Sequence, residues 1–87
     1  MYEIEFISDS RFGGSKKKLI AMDRKLKKTG VKIVNQGAIR TIHFPASDIN
    51  ESTWSWRKRY IIDKGNMTWR EAITKINKIQ APYYKRV

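Results

Sequence analysis

The sequence predicts a single α+β domain of order β-α-β-β-β-α, with a three- to four-stranded antiparallel sheet and two helices on one of its faces. Three observations carry this. Tyr2-Glu3-Ile4-Glu5-Phe6 alternates apolar and charged residues, the two-residue period of a half-buried strand. A Gly-Gly-Ser break before a lysine-rich run and a Thr-x-x-Glu box before an amphipathic run each open a helix. Between those helices lie three runs of β-branched and aromatic residues. Eighty-seven residues allow one domain with a small core and little material for a deep pocket.

The elements follow in order. After the first strand, Gly13-Gly14 stops the chain and Ser15 offers a helix N-cap. The spacing predicts a helix over 16–28, closed by Gly30 just past its end. Leu19, Met22 and Leu26 form its narrow apolar stripe, and seven basic residues cover most of the rest. Val31-Lys32-Ile33-Val34 reads as a strand. Gly37 reads as the turn into a second strand, Ile39 to Phe44, which Pro45 stops. Trp54 to Ile62 reads as the third strand of this meander. Asp63-Lys64-Gly65-Asn66 is a turn, and Thr68-x-x-Glu71 is a capping box. The helix behind it gathers Trp69, Ala72, Ile73, Ile76 and Ile79 on one face and ends at Pro82. Residues 80–87 read as a flexible basic–aromatic tail.

Composition removes several function classes. Cysteine is absent and His43 is the lone histidine, so no metal site and no cofactor are expected. No apolar run approaches the ~20 residues of a membrane span. The opening residues do not resemble a signal peptide, so the expected location is the cytoplasm, that of the host if the chain is phage-encoded. The net charge of +11, from 19 Lys and Arg against 8 Asp and Glu, asks for an anionic partner.

The charge is concentrated, and this yields the candidate site. Residues 16–32 hold Lys16, Lys17, Lys18, Arg24, Lys25, Lys27, Lys28 and Lys32 against Asp23 alone. Such asymmetry exceeds ordinary salt-bridge patterning and suits a ridge that tracks phosphates. In Trp54-Ser55-Trp56-Arg57-Lys58-Arg59-Tyr60, alternation separates the aromatic side chains from Arg57 and Arg59. The aromatic face could stack on unpaired bases. A domain poor in Leu and Phe needs its tryptophans inside, so the Trp pair is assigned to the core and Arg40, Arg57 and Arg59 to the partner. His43 is the one conventional general base and a weak catalytic candidate, with no partner acid in any recognisable spacing. The faintly acidic segment 45–53 suits a basic protein partner or a plain solvent loop.

The stretch from Ser15 to Pro45 resembles HicA, small ribonuclease toxins with a double-stranded-RNA-binding-domain fold. The resemblance rests on the Lys-rich helix, Gly30-Val31, Ile33-Val34, Gln36-Gly37, and a strand ending at Pro45. It implies an RNA-binding shape. The family places Ser-His after the turn glycine, and that histidine serves RNA cleavage; here the two positions are Ala38 and Ile39. The departure implies binding without catalysis. Size, charge and lysine content are also similar to those of TifA-type toxin inhibitors of T4-like phages, without a shared motif.

The expected function is therefore a small, non-catalytic RNA-binding protein contacting phosphates through Lys16, Lys17, Lys18, Arg24, Lys25, Lys28, Lys32, Arg40, Arg57 and Arg59. DNA stays open, because phosphate contacts do not tell the two apart. The alternative is an inhibitor of a nuclease toxin or other defence protein acting by protein contact, with or without RNA. A HicA-like ribonuclease comes third.

Overall fold

Alternation in the first strand, β1 (Tyr2–Asp9), turns Ile4, Phe6 and Ser8 to one side, where all three are buried. The computed structural model covers residues 1–87. A single 3-10 turn, Ser10–Phe12, leads to Gly13, whose left-handed φ of 72° lets the chain reverse. Gly14 then passes so close to β1 that a Cβ there would lie 2.4 Å from the Asp9 nitrogen and 2.5 Å from Ser8 Oγ. That approach lets Ser15 N–H donate to Ser8 Oγ at 2.9 Å, which seats the start of helix α1 (Lys16–Lys27) on the sheet. Ser15 caps the helix as its position predicts, accepting from Lys18 N–H. Gly14→Ala is accordingly expected to cost about 1–3 kcal/mol, the ordinary penalty of overpacking, read as a lowered midpoint in urea. An unchanged midpoint would mean that the loop has room to move.

The remaining strands are β2 (Lys32–Gln36), β3 (Arg40–Phe44), β4 (Thr53–Asp63) and β5 (Tyr84–Arg86). Helix α2 (Trp69–Ile79) lies between the last two, with Thr68 Oγ1 accepting from Glu71 N–H as a capping box requires. All pairings are antiparallel. The eleven residues of β4 form the spine. One side of β4 pairs with the whole of β1, which pairs in turn with β5.

Two corrections to the sequence reading arise here. The meander does not form. β2 pairs with the distal half of β4 and β3 with its proximal half, and both run antiparallel to it. They are successive pieces of one broken edge strand. Gly37 makes no turn: its N–H donates to the Arg59 carbonyl at 3.0 Å, which keeps the chain running alongside β4. Residues 80–87, read as a flexible tail, contain β5, and Tyr84 is half-buried with its hydroxyl donating to Asn77 on α2. The sheet therefore has five strands.

The core is a cluster of nine buried apolar residues: Ile4, Phe6, Leu19, Leu26, Val31, Tyr60, Ile62, Ala72 and Ile76. Phe6 and Tyr60 meet edge to face with centroids 5.7 Å apart. Trp69 packs half-buried at the rim, its ring 4.9 Å from that of Tyr2. The fold is elongated, with extents of 50 × 22 × 20 Å and a radius of gyration of 14.2 Å. A compact chain of this size would have about 12 Å. The excess belongs to β3, the proximal half of β4 and the loop between them, which form an arm reaching beyond the helices. No helix is long and apolar enough to cross a membrane.

Candidate nucleic-acid interface

Helix α1 turns Leu19, Met22 and Leu26 to the sheet, so its far side is fixed by the 100° step. Lys17, Arg24 and Lys28 run along the outermost line. Lys18 and Lys25 flank it on one side and Lys16 on the other. All six are exposed, and none belongs to an ion pair. At 1.5 Å per residue the row from Lys17 to Lys28 spans about 16 Å. The Lys18 ammonium donates to the Gly13 carbonyl and is held over the helix entrance.

Asp23, the one acid of the helix, does not dilute this ridge. It faces inward, with a side chain only 14% exposed. Its Oδ1 accepts from Tyr60 Oη at 2.7 Å and from Lys58 Nζ at 2.9 Å, and its Oδ2 accepts from Lys27 Nζ at 2.9 Å. Burial by itself would raise the carboxyl; the three donors outweigh it and hold the pKa down at about 2. Burial and the bond to Asp23 push the Tyr60 hydroxyl well above its ordinary range. Lys58 interrupts an otherwise apolar or aromatic face of β4 because its ammonium reaches this carboxylate. In the sequence Asp23 is simply the lone acid among the bases of 16–32. It is the polar link between helix and sheet.

The candidate residues do not form one site. Lys58 and Tyr60 contact α1, so by alternation Arg57 and Arg59 stand on the opposite, open face of the sheet. Arg40 shares that face, opposite Arg57 in register. Lys32 joins them, since its neighbour Ile33 packs on the core. The open face is also partly neutralised. Glu5 Oε2 accepts from Arg40 Nη2 at 2.8 Å and from Arg59 Nε at 2.9 Å, while Arg57 Nε donates to Ser55 Oγ at 3.2 Å. A shallow depression of about 270 Å³ beside them is lined by Glu3, Glu5, Arg59, Tyr83 and Lys85. Its mixed charge contrasts with the unopposed lysines of α1.

The tryptophan pair also divides. Trp56 is half-buried against the core, whereas Trp54 is 44% exposed. Its ring stacks on that of His43, with centroids 4.2 Å apart and planes 25° from parallel. His43 lies on the arm, exposed, with Nε2 2.6 Å from Ser52 Oγ. No carboxylate bonds to it. No three His, Asp or Glu side chains gather closely enough to hold a metal ion. The arrangement offers point charges in a row, a hydrogen-bonded arginine–glutamate cluster on the reverse side, and one exposed aromatic stack.

Comparison with protein-family models, curated proteins and solved structures finds no match to this chain.

Proposed function

We propose that the protein binds RNA through its phosphates, along the outer face of α1, and does not cleave it. One observation carries the reading: six exposed, unpaired cations line one helix face whose only acid is turned inward and saturated by three donors. Cations in that state release condensed counterions when they meet a polyanion, and each phosphate neutralised adds to the gain. Lys16, Lys17, Lys18, Arg24, Lys25 and Lys28 form the principal contact. Lys32, Arg40, Arg57 and Arg59 lie across the sheet and serve at most a second segment of a strand that wraps around the domain. The cytoplasm is the compartment that fits such a partner.

The test is the salt dependence of affinity. With all six cations engaged on a single strand, log K against log[salt] is expected to slope near −4, at about 0.7 per phosphate. Fluorescence anisotropy of a labelled oligonucleotide at several salt concentrations measures it. A slope near zero at measurable affinity would remove phosphate tracking as the mechanism.

A second reading has its own observation. Ile49 is 91% exposed in the loop between β3 and β4, next to Asp48 and two residues before Glu51. An exposed apolar residue with acidic neighbours suits a basic protein, such as a nuclease toxin, better than it suits RNA. Pull-down before and after nuclease treatment separates the two. A partner retained after treatment favours protein contact, and one lost with the RNA favours the first reading.

A further inference from the structure

The burial of the helix-side face of β4 falls steadily along the strand. Tyr60 is buried, Trp56 is half-buried and Trp54 is 44% exposed. The start of α1 accounts for this. Ser15 N–H is bonded to Ser8 Oγ, and Ser8 stands opposite Trp56 in register. The helix therefore begins level with Trp56. Trp54, two residues on and about 7 Å further along the strand, lies past its end. A polar residue would be the ordinary choice there. The chain instead places a tryptophan and pairs it in register with His43.

The backbone of Trp54 and the ring of His43 are each anchored. The Trp54 main-chain N–H donates to Ser10 Oγ at 2.8 Å, and the His43 ring is held by Ser52 Oγ at 2.6 Å. The stacked rings thus lie on the α1 side of the sheet, beyond the helix turn that carries Lys16 and Lys17. The loop between β3 and β4 carries the acids Asp48 and Glu51; Glu51 adjoins Ser52, and the cation Arg11 lines the same depression as Glu51.

We infer that the His43–Trp54 stack is a site for an unpaired nucleobase of the strand whose phosphates lie along α1. The inference rests on the RNA-binding reading and deepens it, because it selects single-stranded over duplex nucleic acid. Every base has a π face, so stacking on an aromatic ring is tolerant of sequence. A base inside a duplex is already stacked above and below and has no face to offer. Lysines at the start of α1 hold the backbone while the ring pair takes the base, and neither group needs to move.

The experiment uses Trp54 as its own reporter. In a Trp56→Phe, Trp69→Phe variant the remaining tryptophan is titrated with an oligouridine and, separately, with an RNA duplex of equal length at the same salt. Quenching by the single strand and not by the duplex is expected. Trp54→Ala should weaken oligouridine binding about ten-fold or more, leave duplex binding within about two-fold, and leave the melting curve in place; Trp54→Phe should restore most of the loss. Should the double Trp→Phe variant fold poorly, 5-fluorotryptophan incorporated into the unaltered chain gives the same readout by ¹⁹F resonance, assigned with Trp54→Phe. Equal quenching by duplex, or undiminished oligouridine affinity in Trp54→Ala, overturns the base site. If charge reversal on α1 still abolishes binding in that case, the phosphate reading stands without it. Failure of the unaltered chain to bind either RNA removes both. Release of a protein partner by Trp54→Ala, with both RNA affinities unchanged, would assign the stack to that partner and overturn the base site.

Discussion

Replacing Lys16, Lys17, Lys25 and Lys28 together by glutamate is expected to reduce RNA affinity at least a hundred-fold while the cooperative melt is preserved. The four side chains are exposed and point away from the apolar stripe, so the core does not register the change. Each substitution removes one cation and adds one anion, taking the net charge from +11 to +3. Contacts to four phosphates are lost, and four repulsions replace them. A matched control separates position from total charge. Lys64, Arg70, Lys78 and Arg86, all exposed and outside α1, are changed to glutamate with the same net effect. Anisotropy titrations of both variants decide the matter. Near-wild-type binding in the control and none in the α1 variant assigns the interface to the helix. Equal losses would mean that only the overall field matters.

Asp23→Ala is the second large effect, and it falls on stability. The substitution strands the Lys58 ammonium, 12% exposed, and the buried Tyr60 hydroxyl without their acceptor. Removing one partner of a buried charged pair costs about 3–5 kcal/mol. A domain with nine buried apolar residues has a total stability of roughly 5 kcal/mol. The variant should therefore melt at least about 12 °C lower, or not fold. Replacing the whole group by apolar residues, as Asp23→Leu with Lys58→Met and Tyr60→Phe, should recover much of the loss because no charge is left unpaired. A drop of only a few degrees in Asp23→Ala would make the group a surface contact.

The same carboxylate sets an acid limit. Its folded pKa of about 2 lies below the unfolded value near 3.9. As pH falls, the unfolded chain takes up the proton first, so the contribution is complete above about pH 4–5 and lost on the way to pH 2. Melts of the unaltered protein across that window should show the decline, and the triple apolar variant should show less of it.

Local signals were legible where local physics decides. Ser15 and Thr68 cap their helices as their positions predict, and alternation assigned the faces of β1 and β4 correctly. Pairing was not legible, because strand partners are chosen by distant residues. Nothing near Gly37 reveals that its N–H finds the Arg59 carbonyl and carries the edge strand straight on. For the same reason Tyr84-Lys85-Arg86 reads as a tail until β1 is seen beside it. At the candidate site the lysine ridge was visible as composition, while the inward turn of Asp23 was not. A helix wheel sets Asp23 beside Leu19 and Leu26, but only the presence of Lys58 opposite makes that position tolerable. The arginines were assigned to the right face of β4, yet their partial neutralisation by Glu5 depends on a strand 54 residues away from Arg59. The exposure of Trp54 depends on where α1 ends over the sheet, which no property of its own segment records.

β1 sits between β4 and β5, with Tyr2 opposite both Ile62 and Arg86. This has a consequence in time. A ribosome adds residues one after another, so the first strand made must wait for the last. Until residues near 62 emerge, Ile4 and Phe6 have no sheet to enter, and until residue 86 emerges one flank of β1 stays open. Only α1 can form early from neighbouring residues, and it is too short to be stable alone. Non-local pairing of this kind places folding toward the millisecond-to-second range, slower than a helical chain of the same length. During that wait the nascent segment shows water an apolar strand followed by a strongly cationic run, a combination that any nearby polyanion can screen before the domain has closed.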